Sequence, residues 1–321
     1  MPEVVEVCLT ALWLNEKLSN KKLTKVTILG GRYSRHPLIG LDFINKYQPF
    51  TINKIDSKGK LLWFELTDQK NKHYYILNRF GLEGEWSFTK QEHSGLQFTI
   101  IDDSNKELNA FFIDPRNFGT VEIINDQKKL NKELGKLGPD FLKTSFTSQE
   151  FYDRITKYIT RNGKSIVSTR GNKEIIKVLM DQTISGGLGS GLGNYLSVEI
   201  LYDCKISPHK KMSDIYNDKQ LVYNLANSIK YIIKLSYLNA NIGYLEHLDS
   251  DMASFIQKLR KEIIDNKNHE NNYHPSVILS ENDKFTFRVY RQKKDPDGNP
   301  IKADKIIATR TTYWSPAVQN L

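Results

Sequence analysis

The stretch Met1-Pro2-Glu3-Val4 holds residue types from which covalent chemistry can be built. A proline directly behind an initiator methionine becomes the N-terminus once that methionine is removed, and its amine is then secondary and strongly nucleophilic. An α-amino group titrates at about pH 7.7–8.0, so part of it is unprotonated near neutrality, where a lysine is almost wholly charged. Such an amine can attack an aldehyde-like carbon and form an iminium. Glu3 and Glu6 stand close enough to be its acid or base partners. The competing reading is that Pro suits the first turn of any helix.

Three further stretches bear on chemistry. Lys60 follows Gly59 at the start of a strand-like run; it either aims a flexible cation at a phosphate or is a solvated hairpin lysine. Asp114-Pro115-Arg116-Asn117-Phe118-Gly119 sets an arginine and an aromatic in one tight loop. That loop either wedges into a duplex or returns Phe118 to the core. Between Ile184 and Asn194 lie five glycines leading into a helix. Glycine permits close backbone approach or positive φ, and N–H groups at a helix start can hold an anion. A nucleotide-binding loop is the rival reading, but no strand precedes the run and no Gly-Lys-Ser/Thr follows it. A helix–glycine turn–helix gripping a DNA phosphate, with Asn194 adding an amide donor, suits the preceding helix better.

These residues need mounts. Residues 3–18 show helical spacing at Val5, Leu9, Leu12 and Trp13, which seats the proposed amine on the N-terminus of a packed helix. Strand-like runs follow at 25–29, 60–66, 73–80, 95–101, 109–114 and 119–124, punctuated by Gly, Asn and Asp. Many short strands predict a sandwich or barrel rather than a parallel α/β sheet. Residues 125–145 read as a linker with fragments of helix. Helices are predicted at 148–159, 172–183, 194–203, 216–236 and 250–266. Near the C-terminus, 285–291 alternates as a strand, Asp295-Pro296-Asp297-Gly298 is a turn, and a second strand begins near Lys305 and continues past Arg310. Between Lys284 and Arg310 there are eight Lys/Arg against three Asp, so a basic hairpin there either lies near a groove or covers a core edge.

Bulk properties narrow the classes. The 321 residues carry a net charge of +9, which suits a polyanionic partner. Mean hydropathy is −0.50, and no run approaches the roughly 18 apolar residues of a membrane span. An N-terminal apolar signal segment is absent, since Glu3 and Glu6 interrupt it. The only cysteines, Cys8 and Cys204, cannot form a thiolate zinc cluster on their own. The Lys, Ile, Asn and Tyr content reflects an A/T-rich coding genome.

Taken together, the chain resembles the Fpg/Nei family of bifunctional DNA glycosylases over nearly its whole length. Met1-Pro2-Glu3-Val4-Val5-Glu6-Val7 looks like the family N-terminus. Asp181-Gln182, the glycine loop, Gly193-Asn194-Tyr195-Leu196 and Glu199-Ile200-Leu201 look like its helix–two-turn–helix motif. Arg310-Thr311-Thr312-Tyr313-Trp314 with Pro316 and Gln319 looks like its finger hairpin. The resemblance implies that Pro2 is the nucleophile, Glu3 the acid/base and Glu6 a support. It implies that Lys60 contacts phosphate and assists at the damaged nucleotide, and that Asn194 and Arg310 grip phosphates. Arg116 and Phe118 match the intercalation loop, and Leu82 stands where the third void-filling residue is usually methionine. The finger departs from the family pattern: Ser315 stands where a zinc thiolate is expected, and His274 is a lone nearby ligand. A zincless finger is therefore expected, as in the vertebrate Nei-like and plant branches. The glycine loop is also longer than the usual form.

The resulting expectation is an α+β chain. A catalytic β-sandwich with a leading helix spans 1–130, a linker 131–147, a helix–two-turn–helix DNA-binding domain 148–270 and a zincless β-hairpin finger 271–321. The implied function is excision of oxidised bases, above all oxidised pyrimidines and ring-opened or hydantoin lesions, from double-stranded DNA. It proceeds through a Pro2 iminium with β,δ-elimination and acts also on abasic sites. No metal or organic cofactor is required, no membrane is involved, and an intracellular monomer working at DNA is expected. The alternatives are a damaged-DNA-binding protein without catalysis, and an interaction protein with incidental basic charge. Lesion preference is expected to be set by loops between 240 and 275.

Overall fold

The computed structural model describes residues 2–239, 250–265, 279 and 282–320. The chain is α+β and divides into two compact units. In the first, helix α1 (Val4–Leu18) is followed by β1 (Lys22–Ile28), a 3-10 turn (Gly31–Ser34) and α2 (Leu41–Tyr47). Then come β2 (Phe50–Lys58), β3 (Leu61–Thr67), β4 (His73–Arg79), β5 (Glu85–Ser87), β6 (Ser94–Ile101), β7 (Glu107–Ile113), β8 (Thr120–Ile124) and α3 (Gln127–Gly135). The eight strands form one antiparallel sheet in the order β5-β7-β6-β1-β2-β3-β4-β8.

This sheet folds over on itself. Trp86 of edge strand β5 packs on Phe98 and Phe112 of its own side and on Phe64 of β3. Its indole N–H donates to Asn78 Oδ1 of β4 at 3.0 Å. The sandwich core is therefore aromatic, and its buried Asn78 is paired across the two layers. Helix α1 is buried along most of its surface, including Val5, Leu9, Trp13 and Leu14. It is clamped to the sheet by polar contacts: Asn20 N–H donates to Ile52 O (2.7 Å), Ile52 N–H to Lys21 O (2.9 Å) and Ile55 N–H to Asn15 Oδ1 (2.8 Å).

The second unit opens on α4 (Ser148–Ile159), whose start is fixed by a reciprocal cap. Glu150 N–H donates to Thr147 Oγ1 at 3.1 Å and Thr147 N–H to Glu150 Oε2 at 2.6 Å, the Thr-x-x-Glu pattern that satisfies two orphan donors. A short hairpin of β9 (Thr160–Arg161) and β10 (Ser165–Ile166) leads to α5 (Ser168–Gly171), α6 (Ile175–Met180), α7 (Asn194–Asp203), α8 (Met212–Asn217) and α9 (Lys219–Asn239). Helix α10 (Ser250–Asp265) belongs to the first unit, where Asp251 accepts from Trp13 Nε1 and Lys17 Nζ at 2.9 Å each. Strands β11 (Lys302–Ile307) and β12 (Arg310–Trp314) pair as the C-terminal hairpin.

The helices expected at 148–159 and 194–203 are those of the structure, whereas of the run expected at 172–183 only Ile175–Met180 is helical, as α6, and the separate short helix α5 ends before that run at Gly171. The strand expected at 285–291 does not form. Its backbone N–H groups at Arg288, Val289 and Tyr290 donate to the Glu199 carboxylate instead of to a neighbouring strand. The alternating aromatics Phe285 and Phe287 pack on Tyr195 of α7.

Replacing Trp86 with alanine would empty the sandwich core and leave Asn78 Oδ1 without its donor. A loss of roughly 3–5 kcal/mol is expected for such a truncation, measured by denaturant unfolding.

Candidate active site and nucleic-acid interface

The first unit gathers the side chains expected from sequence to be functional toward one end of the sheet, and the register shows how. Contacts run from Asn20–Ile52 at the C-terminal end of α1 to Asn15–Ile55 further back, so the helix runs antiparallel to β2. From Asn15 back to Glu3 the helix rises about 18 Å. From Ile55 forward to Lys60 the strand spans about 17 Å. Pro2 and Glu3 therefore reach the same end as the Gly59-Lys60 turn, where Gly59 takes φ +56° and closes β2 onto β3. Pro2 is buried and Glu3 is 0% exposed. Glu6, also buried, accepts the Glu3 N–H on Oε2 at 2.8 Å and so holds the residue that precedes the helix. Its place in the structure is that of a positioning group.

The same register continues outward. Leu61 pairs with Arg79, and Arg79 with Thr120. The loop after Arg79, carrying Leu82, thus lies beside the loop before Thr120, carrying Arg116 and Phe118. The two loops touch: a Cβ on Gly81, whose φ is +70°, would come within 2.6 Å of Gly119 N. Arg116 Nη1 lies 3.6 Å from Glu83 Oε1, and its guanidinium sits 5.9 Å from the Phe118 ring centre. Asp114 braces the loop from below, accepting from Gly119 N–H (2.6 Å) and Arg116 N–H (3.2 Å). Phe118 is left 56% exposed, so it does not return to the core. Leu82 is half-buried beside it.

In the second unit the glycine loop joins α6 to α7. Its tight path depends on missing side chains: a Cβ on Gly187 would fall 1.7 Å from Asp181 O, and one on Gly189 would fall 2.5 Å from the Phe141 ring. Phe141 packs edge-on against Phe146 and at a tilt against Phe151. Arg154 lies over all three rings and donates to Leu188 O at 3.0 Å. Asn194, the first residue of α7, donates through Nδ2 to Thr311 O at 2.9 Å. That bond ties α7 to the start of β12 and brings Asn194 beside Arg310.

Two buried carboxylates hold the finger, and the sequence alone did not single them out. Glu199 is 0% exposed and accepts the backbone N–H groups of Arg288, Val289 and Tyr290 at 2.8–3.1 Å. The Arg288 guanidinium reaches Glu199 Oε2 at 3.5 Å and Asp203 Oδ1 at 3.0 Å. Burial pushes the Glu199 carboxyl up, against the opposing pull of those donors. Asp295 accepts from Ser315 Oγ (2.7 Å), Asn299 Nδ2 (3.0 Å) and the N–H groups of Asp297 and Asn299. Gln319 closes this knot, accepting from Ser315 N–H at 2.8 Å and donating to Ile206 O at 3.0 Å. Burial alone would raise the Asp295 carboxyl, but the hydrogen bonds from Ser315 and Asn299 outweigh it and hold it below its ordinary value.

A zinc site does not fit this finger. Ser315 is engaged with Asp295, and both cysteines lie elsewhere, Cys8 in α1 and Cys204 at the end of α7. Burial pushes the Cys204 thiol up to about 12. Among the described residues no group of three or more His, Cys, Asp or Glu could hold a metal ion. His274 and most of the loops between 240 and 275 lie outside the described residues.

The first unit thus presents an exposed aromatic loop, a buried carboxylate and a helix start toward one end of its sheet, and the second unit a tight glycine turn leading into a helix. Comparison with known proteins makes the class definite. Residues 1–121 match the formamidopyrimidine-DNA glycosylase N-terminal domain and residues 276–320 its C-terminal domain. A formamidopyrimidine-DNA glycosylase of Prochlorococcus marinus strain MIT 9515 is 30% identical over 254 residues, covering 74% of this chain and 80% of the relative. That of strain MIT 9312 is 27% identical over 342 residues, covering 99% and 100%. The structure of a complex between the LlFpg protein, a THF-DNA and an inhibitor superposes with a TM-score of 0.71 at 21% identity, covering 100% of both chains. The chain belongs to the formamidopyrimidine-DNA glycosylase (Fpg) family. It is an Fpg-type DNA N-glycosylase, of a family whose members also have abasic-site lyase activity.

Two outcomes follow for the second unit. Gly189→Val would drive a side chain into the Phe141 ring; overpacking of this kind costs about 1–3 kcal/mol, and a lower melting temperature with weakened DNA binding is expected in titrations. Asp295 has a depressed folded-state pKa, so its stabilisation is complete above the ordinary carboxylate range and is lost as pH falls through the folded value. Asp295→Asn should lower thermal stability at neutral pH and lose less on acidification, as read by melting curves from neutral to acidic pH.

Proposed function

We propose that the chain excises oxidised pyrimidines and ring-opened or hydantoin lesions from double-stranded DNA and then cleaves the strand, with Pro2 as nucleophile. The free Pro2 amine attacks C1′ of the everted nucleotide, and the bond from C1′ to the base breaks. The base departs with a proton, the sugar ring opens, and the C1′–N bond becomes an iminium. Loss of a C2′ proton expels the 3′ phosphate by β-elimination. A second proton loss, from C4′, expels the 5′ phosphate by δ-elimination. Glu3 supplies and accepts the protons, with Glu6 fixing its backbone. Lys60 contacts phosphate and assists at the damaged nucleotide. Leu82, Arg116 and Phe118 fill the gap the base leaves, and Asn194 and Arg310 hold the flanking phosphates.

One observation carries this reading: the alignment of α1 on β2 and the register from β2 through β8 set the start of α1 at the same end as the Lys60 turn and the Leu82 and Phe118 loops. Such a cluster suits a reaction that needs an amine, a proton carrier and a wedge together. A similar structure, a Lactococcus lactis formamidopyrimidine-DNA glycosylase non covalently bound to DNA containing an AP site, supports the abasic-site part of the reading. The polar knot at Ser315 and Asp295 supports placing the chain with the zincless, Nei-like branch.

The test uses paired substrates. Protein with a free Pro2 should release the base and nick the strand, whereas protein with a residue or tag left ahead of Pro2 should do neither. Glu3→Gln should lose base release from oxidised pyrimidines by orders of magnitude yet keep more of its nicking of a preformed abasic site, where no base has to leave. Full activity in the blocked protein would refute the amine mechanism, and strong preference for 8-oxoguanine opposite cytosine would refute the branch.

A further inference from the structure

A cavity of about 750 Å³ opens in the second unit, and none of the residues given a catalytic or DNA-binding role above lines it. Its walls include Asp153 and Lys157 of α4, Arg161 and Asn162 of the β9–β10 hairpin, and Thr169 and Arg170 around α5. From Arg154 to Lys177 the sequence carries seven Lys/Arg and one acid, Glu174. That acid is already neutralised by Lys177 (2.9 Å) and Lys211 (2.7 Å), which hold its carboxyl at about 2. Arg154 is spent on Leu188 O, and Arg170 donates to Tyr158 O at 2.6 Å. Asp153, the one acid in the wall, accepts from Gln149 at 2.8 Å.

The side chains of Lys157, Arg161, Lys164 and Lys173 remain. All four are exposed, and none makes an ion pair or hydrogen bond with a described residue. The hairpin that carries two of them is built rather than loose. Asn162 and Gly163 both take positive φ, and Lys164 N–H closes on Arg161 O at 3.1 Å, the tight-turn geometry that Asn-Gly favours. Uncompensated cations crowded on a preformed hairpin repel one another, and the arrangement suits an anionic partner.

Two features select a polyanion over a single small anion. The cations are spread along α4, the hairpin and the segment after α5 rather than converging on one point. The cavity also shares α4 with the glycine loop: Arg154 supports Leu188 one helical turn before Lys157, about 4.5 Å along the axis. A strand held at the glycine loop carries further phosphates at regular spacing past this rim.

We propose that the α4 cavity and the β9–β10 hairpin bind backbone phosphates of duplex DNA beyond those gripped at Asn194 and Arg310. This second contact lengthens the footprint and leaves the chemistry alone. The inference rests on the reading of the chain as a DNA glycosylase.

The test compares the whole wild-type protein with Arg161→Ser/Lys164→Ser and, independently, Lys157→Ser/Lys173→Ser. Equilibrium binding is measured against salt on an abasic-analogue duplex that covers only the lesion's immediate phosphates and on a longer one. Removing two phosphate contacts should reduce the slope of log K against log salt by about 1.8 and weaken the long duplex roughly tenfold or more. Short-duplex binding, the single-turnover rate at saturating DNA and the melting temperature should stay at wild-type values. Unchanged slope and affinity on the long duplex in both variants would overturn the proposal. So would unchanged DNA binding alongside lost binding of a poly-glutamate peptide, which would assign the surface to an acidic protein segment. Failure of the wild type itself to bind either duplex or to nick DNA would instead count against the glycosylase reading.

Discussion

Helix α1 and strand β2 are held in one alignment by three hydrogen bonds, and the site depends on that alignment. Ile52 exchanges backbone hydrogen bonds with the residues that follow α1, and Asn15 takes the Ile55 N–H from the helix side. A slip of one residue in this clamp would move the helix start relative to the Lys60 turn and would exchange the inner and outer faces of β2. Glu6 fixes the backbone of Glu3, and the helix behind them is buried among apolar side chains, so the amine proposed as nucleophile would sit on a rigid mount. Positioning of reacting groups on rigid elements is what converts a weak nucleophile into an effective one.

The second unit solves a different problem by a different device. A segment of irregular backbone has to be held without strand partners, and its N–H groups still need acceptors. Glu199 supplies them from within α7, where Asp203 one turn on takes the Arg288 guanidinium, and Asp295 does the same for the turn that leads into β11. Both carboxylates are buried, so each is stable only while its donors stay in place. The finger is thereby tied to α7 through Glu199 and to the segment after α7 through Gln319. The Asn194–Thr311 bond fixes the N-terminal end of the same helix against β12.

Much of this was legible from residues alone, and the gaps have physical causes. The helix under Pro2 was visible because Val5, Leu9 and Trp13 keep helical spacing, and most sandwich strands because apolar runs alternate with turn residues. Strand β2 was not read, since a bulge between Ile52 and Lys54 breaks the alternation that marks a strand. β5 has only three residues, too few to carry a period. The stretch 285–291 misled for the opposite reason. It alternates because its aromatics pack on Tyr195, while its backbone bonds to a carboxylate far away in sequence. The exposure of Phe118 was open from sequence, because the Asp114 brace that decides it is a matter of loop geometry. Glu199 offered one local sign, a carboxylate inside the apolar run Tyr195–Tyr202; its partners could not be read from its neighbours.

The central claim is that the chemistry belongs to the terminal amine that this framework aims, and not to a side chain near it. The direct measurement is borohydride reduction during turnover on duplex DNA containing an oxidised pyrimidine, followed by proteolysis and mass mapping of the trapped adduct. A reduced sugar-derived adduct on the peptide that begins at Pro2 is expected. An adduct carried by the Lys60 peptide, or none at all from protein with a free Pro2 amine, would contradict it.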